Sequence, residues 1–276
     1  MNDSHTICAL TIAGSDSGGG AGVQADLKTF AAHGVHGLSA ITALTAQNTH
    51  GVTAIHVPPL EFLRAQIDAC FADFQIGAVK IGMLANAAVV RAVADALEHH
   101  RPPHIVLDPV MFATSGTRLL EPEALHALQT RLFPLASIVT PNIPEAELLL
   151  GHPITDAADA DVALEELLAL GAYAVLLKGG HLHTGDAMTD RYADRDTQAA
   201  FTHPRLNVNA HGTGCTLAAA IAANLCQLHT YSQERTLLKA CAAATDYVHG
   251  ALLNSHHPAQ SKGAVLDHFW WNDPPD

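Results

Sequence analysis

Short apolar runs alternate with amphipathic stretches of helical period over the first two thirds of the chain. Runs at 8–13, 37–42, 53–57, 78–81, 105–107, 137–140 and 174–178 read as strands, and 22–32, 60–71, 87–99, 122–132, 145–150 and 162–170 read as helices. This alternation predicts an α/β protein, with βα units on a central, mostly parallel sheet flanked by helices on both faces. Past Gly180 the period changes. Residues 188–192 and 199–203 predict a short hairpin, and 213–228 and 233–252 predict two closing helices. No Pro/Gly/Ser-rich linker, internal repeat or low-complexity block interrupts the 276 residues. The expectation is therefore one domain, with a core over 6–254 and a tail over 255–276. That tail carries Phe269, Trp270 and Trp271, whose apolar area is costly to leave in water, so its middle is expected to dock on the body.

Composition then removes whole classes of function. With 49% hydrophobic and 15% charged residues the chain can bury a sizeable core, which argues against wholesale disorder. Lys and Arg number 14 against 27 Asp and Glu, a formal charge of −13, so a general nucleic-acid binder is not expected. The most apolar stretch, 216–228, is shorter than a membrane span and holds Asn224 and Gln227, so no membrane insertion is expected. The N-terminus shows no basic region ahead of an apolar run, and the five cysteines form no C-x-x-C pair. Both features point to reduced thiols in the cytoplasm. The 19 histidines would take the formal charge from −13 to +6 if all were protonated, which bears on solubility between pH 5 and 7. Pairs such as His99–His100 and His256–His257 lack the i, i+4 spacing of a helical metal site, so no dedicated histidine–metal centre is expected.

In an open α/β sheet, ligands sit beyond the carboxyl ends of the strands, and three loops there carry chemistry. The first, Gly14-Ser15-Asp16-Ser17-Gly18-Gly19-Gly20-Ala21-Gly22, is either a flexible connector or a place where backbone approaches a ligand. It matches neither the P-loop nor the dinucleotide fingerprint. The second, His211-Gly212-Thr213-Gly214-Cys215-Thr216, opens an apolar helix. Free N–H groups and the helix dipole there would hold an anion and lower the pKa of Cys215, making it a candidate thiolate base or nucleophile. The alternative is a glycine-rich helix start with an incidental cysteine. In the third, Asn142 and Glu145 at i, i+3 could offer oxygens to a hydrated Mg²⁺, or form a capping box with no metal. Asp108 ends another strand. Lys178, one of five lysines, precedes Gly179-Gly180 and could reach a transferring phosphate or simply be solvated.

Taken together, these blocks resemble the hydroxymethylpyrimidine/phosphomethylpyrimidine kinases of thiamine biosynthesis, within the ribokinase-like superfamily. The resemblance runs through Ala13–Asp16 and Gly22–Phe30, Thr45-Ala46-Gln47-Asn48-Thr49, Lys80-Ile81-Gly82-Met83-Leu84, Leu107-Asp108-Pro109-Val110-Met111, Thr140-Pro141-Asn142-Ile143-Pro144-Glu145, Leu177-Lys178-Gly179-Gly180-His181 and His211–Thr216. It implies a single-domain, three-layer ribokinase-like fold, ATP with Mg²⁺, and two successive phosphorylations of a small hydroxymethylpyrimidine. By position, Gln47 would read the aminopyrimidine edge, with Gly14, Asp26 and Met83 lining the same pocket. Gly212, Thr213 and Gly214 would form the anion hole, and Cys215 would take the place of the usual Asp base. Lys178 would neutralise phosphate charge, with Asn142 and Asp108 on the nucleotide side, while Asn142 and Glu145 would organise Mg²⁺ mostly through water. A homodimer is also implied. The segment 181–196 departs from the pattern. Three rivals remain: a pyridoxal or pyridoxine kinase, a thiol acyltransferase using Cys215 with His211 as its base, and a noncatalytic pyrimidine-binding protein.

Overall fold

In the computed structural model, residues 6–113, 115–182, 185–231, 237–260 and 263–271 are described, the side chains of 228–231 excepted. In chain order they form β1 (Cys8–Asp16), α1 (Gly22–Ala32), β2 (His36–Asn48), β3 (Gly51–His56), α2 (Leu60–Asp73), β4 (Ile76–Ile81), α3 (Ala87–His100) and β5 (Ile105–Leu107). Then follow α4 (Ala124–Ala127), β6 (Ile138–Val139), α5 (Ile143–Leu150), α6 (Ala157–Ala169), β7 (Ala174–Leu177), β8 (Ala187–Asp194) and β9 (Gln198–Pro204). The chain closes with β10 (Ala210–His211), α7 (Thr213–Tyr231), α8 (Leu237–Leu253) and β11 (Ala264–Val265). Nine strands make one sheet in the order β3-β2-β1-β4-β5-β6-β7-β8-β9. The run from β2 to β7 is parallel, and antiparallel strands lie at both edges.

Alternation along the strands sorts side chains between two cores. Leu10, Ile12, Val79, Ile81, Leu107, Val139 and Leu177 point to one face and pack with α2 to α6. Ala9, Ala78, Val106, Ile138 and Leu176 point to the other and pack with α1, α7 and α8. Five alanines of α7, residues 218, 219, 220, 222 and 223, are fully buried, which lets that helix lie close on the sheet. Caps fix several helix starts: Asn86 and Asp156 each accept the N–H three residues on, and Asn142 with Glu145 forms a capping box.

Three expectations change. The strand expected at 37–42 runs on to Asn48, because Ala43 to Thr45 pair with β1 and Leu44 to Asn48 pair, antiparallel, with β3. The helix expected at 122–132 is one α turn followed by π geometry over 128–132 and a 3-10 turn over 133–135. Pro134 has no N–H to donate, so a regular ladder cannot pass it. Finally, α8 is described from Leu237; residues 233–236 of the expected helix lie outside the described residues. Among the described residues no helix is long and apolar enough to cross a membrane.

In the tail, β11 pairs in parallel with β10. Trp270 donates to Tyr247 O at 3.2 Å, Trp271 to Ala32 O at 3.3 Å, and Tyr247 to His268 O at 2.8 Å.

Candidate active site

The loops after β1, β5, β6 and β7 leave the carboxyl ends of parallel strands, and the loop between β10 and α7 meets them there. At the end of β1, Asp16 turns its carboxylate back to accept the N–H groups of Gly18, Gly20 and Ala21 at 2.8, 3.1 and 2.9 Å, so the glycine loop wraps around a fixed anion. His211 Nε2 approaches the same carboxylate at 3.0 Å. Gly212 has φ +89°, and a Cβ there would collide with the Gly20 carbonyl oxygen. Backbone contact therefore locks the first glycine loop against the second, an approach that a side chain would forbid.

Lys178 follows β7, and its N–H donates to Pro141 O at 2.9 Å, tying two strand ends together. Its Nζ lies 2.9 Å from Asp108 Oδ1 and 3.8 Å from Glu145 Oε2. A Cβ on Gly214 would stand 3.0 Å from that Nζ and 3.6 Å from Asp108 Oδ2. The α7 N-terminus, a lysine and a carboxylate thus share one corner. Burial works against the Lys178 charge, but Asp108 and Glu145 outweigh it and hold its pKa above the ordinary value. Glu145 is 4% exposed, and burial pushes its carboxyl up to about 7, with Lys178 pulling it back.

One cavity of about 1080 Å³ is lined by Gly14, Gln47, Met83, Asp108, Asn142, Glu145, Lys178, Gly212, Thr213, Gly214 and Cys215. All but one of the residues singled out from the sequence are in that lining. The exception is Asp26, which is fully buried in α1, accepts from Thr11 Oγ1 at 2.6 Å and pairs with Lys80 Nζ at 2.9 Å. It does not line the cavity; the neighbouring Lys80 does.

One further expectation is corrected, and of the two readings of Asn142 and Glu145 the capping box is formed. Cys215 was expected to be acidified by the helix dipole, but burial pushes its thiol up to about 11, against the pull of the Lys80 ammonium. The Asn142–Glu145 spacing is used as a capping box, with Asn142 Oδ1 accepting from Glu145 N at 2.9 Å and Glu145 Oε2 from Asn142 N at 2.8 Å. The pair caps α5, and both side chains also belong to residues that line the cavity beside Lys178 and Asp108. Asp16, Lys80, Asp190 and Arg205 carry parts of the site that sequence reasoning gave no role. Lys80 had a signal, a lone charge inside an otherwise apolar strand. Asp190 accepts from Gly179 N at 2.8 Å and Arg205 donates to Gly180 O at 2.9 Å; their signal lay in long-range contacts that local pattern does not carry.

Such a corner can hold a polyanion and stabilise charge moving between oxygens. Comparisons with known proteins agree. The phosphomethylpyrimidine kinase family matches residues 16–266. A hydroxymethylpyrimidine/phosphomethylpyrimidine kinase of Rhizobium meliloti is 48% identical over 273 residues, covering 97% of this chain and 100% of the relative. The solved phosphomethylpyrimidine kinase of Clostridium difficile superposes with a TM-score of 0.77 at 41% identity, covering 88% of this chain and 98% of that one. The pyridoxal kinase of Staphylococcus aureus, solved with AMP-PCP and pyridoxal, gives 0.86 at 30% identity, covering 98% and 96%. A chain with this corner, matched by the family over most of its length and nearly half identical to a relative from end to end, belongs to the phosphomethylpyrimidine kinase family and is a phosphotransferase.

Proposed function

We propose that this chain transfers phosphoryl groups from ATP to 4-amino-5-hydroxymethyl-2-methylpyrimidine, giving the monophosphate and then the diphosphate for thiamine biosynthesis. The observation that carries this reading is the continuity of one cavity. Gln47, Gly14 and Met83 line it together with the Gly212–Gly214 corner, Lys178 and an apolar wall of Leu206, Val208, Val248 and Leu252. Gln47 would meet the aminopyrimidine edge and the apolar wall would take the nucleotide base. Phosphoryl transfer needs positioning and charge neutralisation more than covalent work. The α7 amides and Lys178 supply both, and Asp108 holds the Lys178 ammonium toward Gly214.

Mg²⁺ fits this site. Asp108 and Glu145, both buried, face a single lysine at 2.9 and 3.8 Å, two carboxylates against one ammonium. Among the described residues no group of three metal-binding side chains occurs, which suits an ion that keeps its waters and takes one or two carboxylates plus phosphate oxygens. Glu145 and Asp108 would hold it, Asn142 would keep Glu145 in place, and the bound ion would neutralise phosphate charge. Cys215 would accept the hydroxyl proton. It would do so as the thiolate, a minor form in the ligand-free site whose own proton has gone to solvent and which the Lys80 ammonium and the α7 N-terminus favour.

The chain would work as one kinase domain with its tail docked, in the cytoplasm, in keeping with five free thiols. A homodimer is supported by exposed apolar groups on β2, β3 and α2, where Leu44, Ile55 and Phe62 are 46%, 41% and 59% exposed. The likeness to a pyridoxal kinase favours one second reading, phosphorylation of pyridoxal. ATP consumption by purified protein with Mg²⁺, with the pyrimidine and with pyridoxal and with products identified by mass, separates them. Pyrimidine mono- and diphosphate support the proposal; turnover confined to pyridoxal moves the substrate, and silence on both overturns the reading.

A further inference from the structure

The amide of Gln47 is held at two points. One end lies 3.0 Å from Thr45 Oγ1 and the other 3.0 Å from His211 Nε2, which itself lies 3.0 Å from Asp16 Oδ2. Donor and acceptor in each contact follow by exclusion. Asp16 is opposed by burial, yet the bonds it accepts from His211, Gly18 and Ala21 hold its carboxyl below the usual range, so it is an ionised acceptor at neutral pH. A carboxylate only accepts, so His211 Nε2 carries the hydrogen and donates to Asp16. The structure sets the Gln47 nitrogen toward His211, which puts N–H against N–H. It also asks the one Thr45 hydroxyl hydrogen to serve both Gln47 Oε1 and Ser15 O, the latter at 2.9 Å. A half-turn of the amide leaves the heavy-atom positions nearly unchanged and removes both conflicts. The Gln47 carbonyl then accepts from His211, its amino group donates to Thr45 Oγ1, and the Thr45 hydroxyl donates to Ser15. The other His211 tautomer would suit the unturned amide but would aim a lone pair at the Asp16 carboxylate, which disfavours it.

The turned amide leaves one N–H on the Thr45 side and one lone pair on the His211 side for a ligand. That order matches a ring nitrogen next to an exocyclic amino group. It opposes an edge of two adjacent acceptor oxygens, such as the phenolate and formyl groups of ionised pyridoxal, where carbonyl would face acceptor. We infer that His211, held by Asp16, is a positioning residue that fixes the donor–acceptor order of the Gln47 amide and thereby selects an aminopyrimidine edge over an edge of two acceptors. The inference rests on the pocket reading proposed above.

Steady-state kinetics with the pyrimidine, and with pyridoxal as substrate or competitive inhibitor, test it in His211→Leu, His211→Gln, Gln47→Ala and the His211→Leu/Gln47→Ala double variant. His211→Leu is expected to raise KM for the pyrimidine about tenfold with kcat within about twofold, leaving the pyridoxal constant unchanged. His211→Gln, which keeps a donor at similar reach, is expected to restore most of the selectivity. In the Gln47→Ala background His211→Leu is expected to add nothing, since it acts through the missing amide. If His211→Leu does not fold, His211→Asn, too short to reach Asp16, carries the same expectation. Loss of kcat at unchanged KM, or an additive loss in the double variant, overturns the inference. So does an unchanged pyrimidine KM in His211→Leu while Gln47→Ala raises it, and in that case the pocket reading stands. An unchanged KM in Gln47→Ala removes both.

Discussion

At the N-terminus of α7, two effects act on Cys215 in opposite directions. The helix dipole and Lys80 favour a thiolate, while burial disfavours it, and burial wins with a pKa near 11. At pH 7.5 the ligand-free protein should therefore react with iodoacetamide at Cys215 roughly a few hundredfold more slowly than an ordinary thiol, followed by peptide mass mapping. Cys215→Ala should lose most turnover and keep pyrimidine affinity, as measured by calorimetry. Glu145 offers a different test. Its carboxyl binds a proton more readily folded than unfolded, so its contribution to stability is full below about pH 4.5 and is lost as pH rises through about 7. Glu145→Gln should then melt near the wild-type temperature at pH 5 and above it at pH 8, while being a poorer kinase at both.

Elements explain why those residues meet. Asp108, Asn142 and Lys178 follow three neighbouring parallel strands, each within three residues of the end of an apolar run, so their convergence was legible once the βα pattern was read. Gly212 and Gly214 were legible as a glycine-rich helix start. Asp26 misled because its sequence position, on a helix after a glycine loop, says nothing about which way the side chain points. In the fold it turns inward to Lys80, where breaking the pair would cost about 3–5 kcal/mol. The dual use of Asn142 was visible as two alternatives, and the capping geometry shows that the helix claims it. Asn142→Ala should lower stability by about 1 kcal/mol in denaturant melts, with kcat falling further than that loss alone explains because Glu145 is freed.

Across the whole molecule, the tail ties α8, α1 and α7 together. Burial pushes the His268 imidazole down to about 4, beside Thr216 Oγ1 at 3.2 Å. A depressed histidine supports the fold above its unfolded pKa near 6.5 and loses that support as pH falls toward 4. Acidification from pH 7 to 5 should therefore lower the melting temperature of the wild type more than that of His268→Gln. Glu145 acts in the opposite sense over much of the same range, so the two contributions partly offset each other in the wild type and separate only in the variants.

The bond between Asp16 and His211 spans 195 positions of sequence. During synthesis, a chain that has emerged only as far as β9 holds all nine strands of the sheet but lacks α7 and α8, so of the helices that cover the face of Ala78, Val106, Ile138 and Leu176 it has only α1. Long-range closure of this kind comes late and leaves apolar surface waiting for its partner. Ribosome-stalled chains ending before residue 213 should accordingly be protease-sensitive on that face, and release of the full chain should protect it. Gly212 to Cys215 line the cavity and open the last quarter of the 276 residues, so chains stalled before them are expected to show no kinase activity, and release of the full chain to restore it.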